Sequence, residues 1–329
     1  MNIFRTLAAI FLFCSACSPG FGQDDTTTRA APVDMSCALA ERAAEPATLI
    51  EASIELQRGG KTIRGVIGRP ETGAVHAVVI FLHGYTGMRD EIPVRGGEGM
   101  FLRAARTFAG LGIASVRFDF LGSGQSDGDW ADTTFAGQTD DLDAVLAAVR
   151  DKDGLSGRPV YLLGFSQGGL VALAAVAAGA QARGVVLWNP VLDPFQSYGR
   201  IFGKAGLETG LAQARSGALD APVAGTGLNA AFFGGIENSD PLSTGIAYKG
   251  PVLLALGSGD RIAANGPENA ATLKAGRSSG TEIVVVDVGH ALGVNRGTAS
   301  LDRVIGCSAS FVLRKSGVLS PASGGVALQ

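Results

Sequence analysis

Histidine is scarce in this chain, with 3 in 329 residues, so any reaction that needs an imidazole base has few residues to draw on. Cysteine is scarce as well. Of the 4 cysteines, Cys14 and Cys17 fall in the first few residues, and the remainder are too few to build a metal or redox cluster. An excess of one charge is also missing: 27 Lys and Arg face 30 Asp and Glu, a formal net charge of −3. No basic stripe of the kind that neutralises nucleic-acid phosphates stands out, so nucleic acid is not an expected partner. Internal repeats, long low-complexity segments and apolar runs long enough to span a bilayer are lacking too.

What the chain does have is apolar material, 46% against 17% charged, and 48 glycines. That balance describes a globular chain with a real core rather than a disordered one. Its length suits one large α/β domain.

Near the N-terminus Arg5 precedes the apolar run Leu7–Phe13, too short for a bilayer and shaped like the core of a signal peptide. Export to the periplasm or the exterior is therefore expected. Two cleavage readings compete. Gly20-Phe21-Gly22 before Gln23 resembles a small-x-small site, which makes residues 1–22 a signal peptide; Ser15-Ala16-Cys17 resembles a lipoprotein box, which would anchor the protein to a membrane through a lipid on Cys17. The first is favoured because Cys14 stands where the box calls for an aliphatic residue. Cleavage at Gln23 leaves Cys37 and Cys307, and two cysteines in an oxidising compartment can pair. A disulfide between them would tie the N-terminal extension to the last helix; the alternative is two separately buried thiols.

Residues 23–47 read as a linker with one short helix near Cys37, and 316–329 as a C-terminal tail. Between them, 48–315 form the main domain. Ile50–Leu56 and Thr62–Arg69 look like a hairpin turning at Gly59-Gly60. Thereafter Ala77–Leu82, Ile113–Phe118, Val160–Gly164, Gly184–Trp188, Val252–Leu256 and Glu282–Val286 are short apolar runs, as strands buried on both faces of a parallel sheet should be. Helical patterns alternate with them at Gly99–Ala109, Thr139–Arg150, Gly168–Ala180, Pro267–Leu273 and Leu301–Leu313. The alternation predicts a doubly wound, mostly parallel α/β sheet. One stretch, 191–248, is too long for an ordinary connection and reads as a small cap inserted over the site.

The chemistry starts at Gly164-Phe165-Ser166-Gln167-Gly168. A serine hydroxyl is a poor nucleophile unless it stands exposed on a tight turn where a base can take its proton, and this run sits between an expected strand and an expected helix. Upstream, Phe81-Leu82-His83-Gly84-Tyr85-Thr86-Gly87 follows another strand. Acyl transfer places negative charge on a carbonyl oxygen, which calls for two preorganised amide donors. Gln167, directly after the serine, and Tyr85, in the upstream loop, are the expected pair. Elimination selects the base: His76 precedes a buried strand, His83 is assigned to shaping its loop, and His290 lies in Val288-Gly289-His290 after the strand Glu282–Val286. The acid is assigned to Asp260, after the strand Val252–Leu256, over Asp287, Asp193 and Asp240. Asp119 precedes the serine and is assigned to its own loop.

Together, His83-Gly84-Tyr85, the run Arg117–Ser126, Gly164–Gly168, Gly257–Asp260 and Gly289-His290 resemble the α/β-hydrolase superfamily, from about Ile50 to Leu313. Within it the chain is similar to small-capped bacterial esterases, the cinnamoyl and feruloyl esterases and the monoacylglycerol-lipase and serine-aminopeptidase-like hydrolases. The resemblance implies a serine esterase with the triad Ser166, Asp260 and His290, an oxyanion hole from Tyr85 and Gln167, and an acyl-enzyme intermediate needing no metal or organic cofactor. Small acyl or aromatic esters are the implied substrates. Peptidase, thioesterase, lipase and lactonase chemistry, and a non-catalytic binding protein of the same fold, stay open; oligomeric state is not legible. Phe195, Tyr198, Phe202, Phe232 and Phe233 are either an apolar wall for the acyl group or packing between cap and core.

Overall fold

The structure, a computed structural model, describes Cys37, Leu39 and residues 47–95, 97–263, 266–278 and 280–319. The signal-peptide and lipoprotein readings, with Cys17, lie outside these residues, as do most of the linker and the end of the tail. Among the described residues no helix is long and apolar enough to cross a membrane.

Among the described residues ten strands and eight α-helices follow one another as β1 (Leu49–Arg58), β2 (Lys61–Pro70), β3 (Ala77–Leu82), α1 (Met100–Ala109), β4 (Ile113–Phe118), α2 (Phe135–Arg150), β5 (Val160–Phe165), α3 (Gln167–Ala177), β6 (Gly184–Trp188), α4 (Pro194–Arg215), β7 (Pro222–Val223), β8 (Leu228–Asn229), α5 (Ala230–Glu237), α6 (Pro241–Ala247), β9 (Val252–Gly257), α7 (Gly266–Gly276), β10 (Thr281–Val286) and α8 (Ala299–Lys315). Eight of the strands form one sheet in the order β1-β2-β4-β3-β5-β6-β9-β10. The hairpin β1–β2 is antiparallel and joins β4 antiparallel, while every pair from β4 to β10 is parallel.

Side-chain alternation explains why the central strands read as unbroken apolar runs. In β3, Val78, Ile80 and Leu82 enter the core shared with α2 and α3, whereas Ala77, Val79 and Phe81 enter the core shared with α1 and α8. All six are buried. At the sheet edges one face is open to water, so β1 is mostly exposed and Val285 of β10 is 48% exposed.

The outer helices are pinned by polar contacts as well as by packing. Arg103 of α1 forms a two-pronged pair with Asp302 of α8, at 2.6 and 3.0 Å, and the buried indole of Trp188 donates to Ser308 Oγ at 3.0 Å. Cys37 and Cys307 are joined in a disulfide that closes a loop of 270 positions, and Leu39 N–H donates to Ser310 Oγ on the same helix. Cys37 and Leu39 are therefore fastened to α8, the one covalently and the other by a hydrogen bond.

The stretch 191–248 holds more regular structure than its glycine content implies. Asp193 caps α4 by accepting from Gln196 N–H, with Pro194 in the first turn, and the helix runs 22 residues with a break at Gly203 (φ 71°, ψ 164°). A small hairpin of two two-residue strands, β7 and β8, and then α5 follow, and α5 lies against α4. The final helix differs in place from the expected cap: α6 packs on α3 and α7 beside the sheet, where a Cβ on Gly245 would meet Leu273 at 2.7 Å and Leu173 at 3.6 Å. The elements of this stretch that pack on one another are α4, the small hairpin and α5.

Reducing the disulfide, or replacing Cys307 with serine, should cost about 2–4 kcal/mol of stability. Urea unfolding with and without reductant measures this. Equal midpoints, or alkylation of both Cys37 and Cys307 in unreduced denatured protein, would contradict the bridge.

Candidate active site

Strand β5 ends at Phe165 and α3 begins at Gln167, leaving Ser166 alone to turn the chain, at φ 53° and ψ −117°. L-residues rarely adopt such angles, and holding one there costs on the order of 1–3 kcal/mol. The turn is possible because its neighbours lack side chains: a Cβ at Gly164 would lie 2.3 Å from the Gly168 carbonyl oxygen, and one at Gly168 would lie 2.0 Å from that of Leu82. Three backbone bonds hold the conformation. Ser166 N–H donates to the Trp188 carbonyl at 2.9 Å, and the Ser166 carbonyl accepts from Gly169 and Val191 N–H at 3.0 Å each.

Asp260 and His290 lie in the loops after β9 and β10, at the carboxyl edge of the sheet where doubly wound folds place their ligands. His290 Nε2 is 2.9 Å from Ser166 Oγ, and Nδ1 is 2.7 Å from Asp260 Oδ2. The other Asp260 oxygen accepts from the N–H groups of Ile262 at 2.8 Å and Ala263 at 3.1 Å. A carboxylate so held keeps the proton on Nδ1 and leaves Nε2 free to take one from the serine. The Phe165 ring packs 4.9 Å from the imidazole.

The other candidate acids are engaged elsewhere. Asp193 and Asp240 cap α4 and α6, and Asp287 accepts from Ser258 Oγ at 2.9 Å. Asp119 organises its own loop, accepting from the N–H groups of Arg89 at 2.7 Å and Gln125 at 2.9 Å.

His83 is fully buried and stays away from the serine. Its Nδ1 donates to the Gly84 carbonyl at 3.0 Å and its Nε2 accepts from Phe120 N–H at 3.2 Å. Burial lowers its pKa below the ordinary histidine value, which suits a neutral ring fastening two loops. Gly84 stands beside the elbow, since a Cβ there would meet the Ser166 Cβ at 3.3 Å. Tyr85 comes next and lines the same cavity as Ser166 and His290. Gln167 opens α3, so its N–H has no carbonyl four residues back in the helix and sits at the positive end of the helix dipole.

Three functional neighbours escape a sequence reading. Asn189 Nδ2 donates to the His290 carbonyl at 2.7 Å while its Oδ1 accepts from Gly257 N–H at 2.7 Å, tying the acid and histidine loops to the end of β6. Glu91, buried at φ 59°, accepts from Gly84 N–H at 2.6 Å. Burial pushes its pKa up to about 7, against the pull of that N–H. Tyr198, on α4, donates its hydroxyl to Gln167 Oε1 at 2.6 Å. The one local signal for Asn189 is a polar residue closing an otherwise apolar strand, in Trp188-Asn189-Pro190.

A cavity of about 410 Å³ opens over the serine, its walls formed mainly by Met88, Ile92, Pro93, Phe165, Ile201 and Ile262, with Tyr85, Glu91 and His290 its ionisable groups. The aromatic residues of the insertion do not make this wall. Tyr198, Phe232 and Phe233 are fully buried in the core and Phe202 is partly buried against it, so the packing alternative describes these four, while Phe195 is exposed and fits neither alternative. Among the described residues no group of three or more His, Cys, Asp and Glu could hold a metal ion.

Residues 77–209 match the family described as alpha/beta hydrolase fold. Among curated proteins, an uncharacterized 31.7 kDa protein of Escherichia coli, from the traX-finO intergenic region, is 27% identical over 117 residues, which are 36% of this chain and 38% of that protein. The chain thus spans well under half of the relative it matches. Among solved structures it is similar to the alpha/beta hydrolase GrgF from Penicillium sp. sh18, at 17% identity and a TM-score of 0.63, covering 82% of this chain and 100% of that one. It is also similar to Est1E from Butyrivibrio proteoclasticus with ferulic acid bound, at 19% identity and a TM-score of 0.59, covering 72% and 91%. An esterase from Pyrococcus furiosus follows at 20% identity and a TM-score of 0.56, covering 75% and 86%. The sheet order, the elbow and these likenesses agree: the chain has the α/β-hydrolase fold and resembles esterases built on it.

Proposed function

We propose that the protein is a serine hydrolase that cleaves carboxylic esters through an acyl-enzyme. The observation that carries this reading is the unbroken chain from Ser166 Oγ to His290 to Asp260, at 2.9 and 2.7 Å, opening on an apolar cavity. His290 takes the serine proton as Oγ attacks the ester carbonyl, and the Tyr85 and Gln167 amides hold the oxyanion. His290 then returns the proton to the leaving alcohol. Water, activated by the same imidazole, releases the acid.

Neutral esters with a small acyl or aromatic group suit a cavity of this size, whose walls carry no Lys or Arg. The esterases among the structural likenesses support the ester reading. Export belongs to the proposal as well, supported by the apolar run Leu7–Phe13 and by a disulfide of the kind that persists in oxidising compartments.

Ser166→Ala should lower kcat on a p-nitrophenyl ester by about 10⁴-fold or more while the circular-dichroism melt is kept; near-normal turnover would refute the assignment. Asp260→Asn should cost on the order of 10³–10⁴ in kcat, because the imidazole loses its tautomer. A rate close to wild type would exclude Asp260 as the histidine's partner.

Glu91 generates a pH prediction. Its folded pKa is raised above the unfolded value of 4.5 to about 7, so the folded state favours the protonated carboxyl. That contribution is present below pH 4.5 and is lost as the pH rises toward and through 7. Glu91→Gln keeps an acceptor for Gly84 N–H and cannot ionise, so the stability difference between acidic and mildly alkaline pH should shrink by about 1–3 kcal/mol. An unchanged pH slope in urea titrations would contradict this.

A further inference from the structure

We propose that Tyr198, on the cap helix α4, is the positioning residue of the oxyanion hole, so that the cap braces the catalytic centre rather than merely covering it. The inference rests on the reading of Tyr85 and Gln167 as the amide donors.

One buried side chain reaches both of those residues. Its hydroxyl donates to Gln167 Oε1 at 2.6 Å, and the other end of that amide, Nε2, donates to Gln138 Oε1 on α2 at 2.8 Å. Gln167 is therefore clamped between α2 and α4, with both polar ends of its side chain occupied. All three residues are buried, at 0% exposure for Tyr198 and Gln167 and 2% for Gln138, so water does not substitute readily for a lost partner. The Tyr198 ring meets the Tyr85 ring edge-on, with centroids 6.1 Å apart. It also stacks on Phe202, 5.8 Å away and tilted by 13°, and Phe202 touches Tyr85 in turn, at 5.7 Å.

The two donors follow β3 and β5, neighbouring strands paired from Val78↔Val160 to Leu82↔Gly164, and that pairing sets the backbone spacing of the two loops. Tyr198 adds a side-chain link between them, through its hydroxyl to Gln167 and its ring to Tyr85. Burial raises its pKa well above the ordinary tyrosine value, which keeps the hydroxyl a donor across the working pH range. A phenylalanine at 198 would fill the same space and keep the ring contacts, yet leave Gln167 Oε1 without its donor. Gln167 could then turn about its remaining bond to Gln138, loosening the first turn of α3 and the amide that faces the oxyanion. Loosening a donor should cost less than deleting one, which takes about 10²–10³ in kcat.

The test measures kcat, KM and thermal midpoint on a p-nitrophenyl ester for the wild type, Tyr198→Phe, Gln138→Met and Ser166→Ala. Gln138→Met breaks the same clamp from the α2 side and serves if Tyr198→Phe fails to fold. The expected result is a fall in kcat of about tenfold for either clamp variant, with KM moving by less than about twofold and Ser166→Ala inactive. Folded Tyr198→Phe with wild-type kcat, or a loss confined to KM or to thermal stability, overturns the positioning role and leaves the serine reading standing. If Tyr198→Phe does not fold, wild-type kcat in Gln138→Met overturns it equally. Turnover by Ser166→Ala would instead sink the serine reading, and this inference with it.

Discussion

The backbone at Ser166 is the constraint on which the rest of the site depends. An L-residue at φ 53° and ψ −117° is held there because β5, β6 and α3 converge on a point where only glycines fit. Gly164 and Gly168 admit backbone contacts that any Cβ would block, and the Trp188 carbonyl fixes the amide of the serine itself. The strain, on the order of 1–3 kcal/mol, is offset by the packing of the buried strands on either side. In return the hydroxyl stands at the carboxyl edge of the sheet, at the start of helix α3, whose first amides have no partner within the helix.

Everything else in the site meets that fixed point. His290 and Asp260 arrive on the loops of the last two strands and are bound to the sheet by Asn189, which holds a carbonyl of the one loop and an amide at the base of the other. The opposite wall comes from the loop after β3, where His83 anchors one side and Glu91 the other. These supports are buried polar groups with their partners in place, the condition under which such groups rigidify a site rather than weaken it. Behind that wall Tyr198 and Phe232 pack on Tyr85 in an aromatic cluster continuous with the core.

Much of this was legible from residues alone, because its determinants are local. Strand limits in the sheet centre follow from apolar runs, and the elbow follows from glycine spacing between a strand and a helix. The disulfide pairing of Cys37 with Cys307 was one of two alternatives until the structure joined them. The parts that stayed hidden depend on distant partners. Helix α4 contains Gly199, Gly203, Gly206 and Gly210, which obscure its period, and Asp193 before Pro194, which starts it, was weighed as a catalytic acid. That α6 belongs beside α3 follows only from a glycine fitting against Leu273 and Leu173. The roles of Glu91, Asn189 and Tyr198 rest on contacts 7 to 101 positions away, for which no spacing rule exists. The aromatic residues of the insertion could equally have been wall or packing, and burial decided for packing at Tyr198, Phe202, Phe232 and Phe233 but not at the exposed Phe195.

The central claim is that Ser166 is a nucleophile activated by its neighbours, and covalent labelling tests it most directly. A fluorophosphonate reacts with a serine whose proton a base removes and whose developing oxyanion is stabilised. Treatment of the purified protein followed by peptide mass spectrometry should place a single stoichiometric adduct on Ser166, and denaturing the protein first should abolish it. An intact folded protein that takes up no label, or carries it on another residue, would contradict the account.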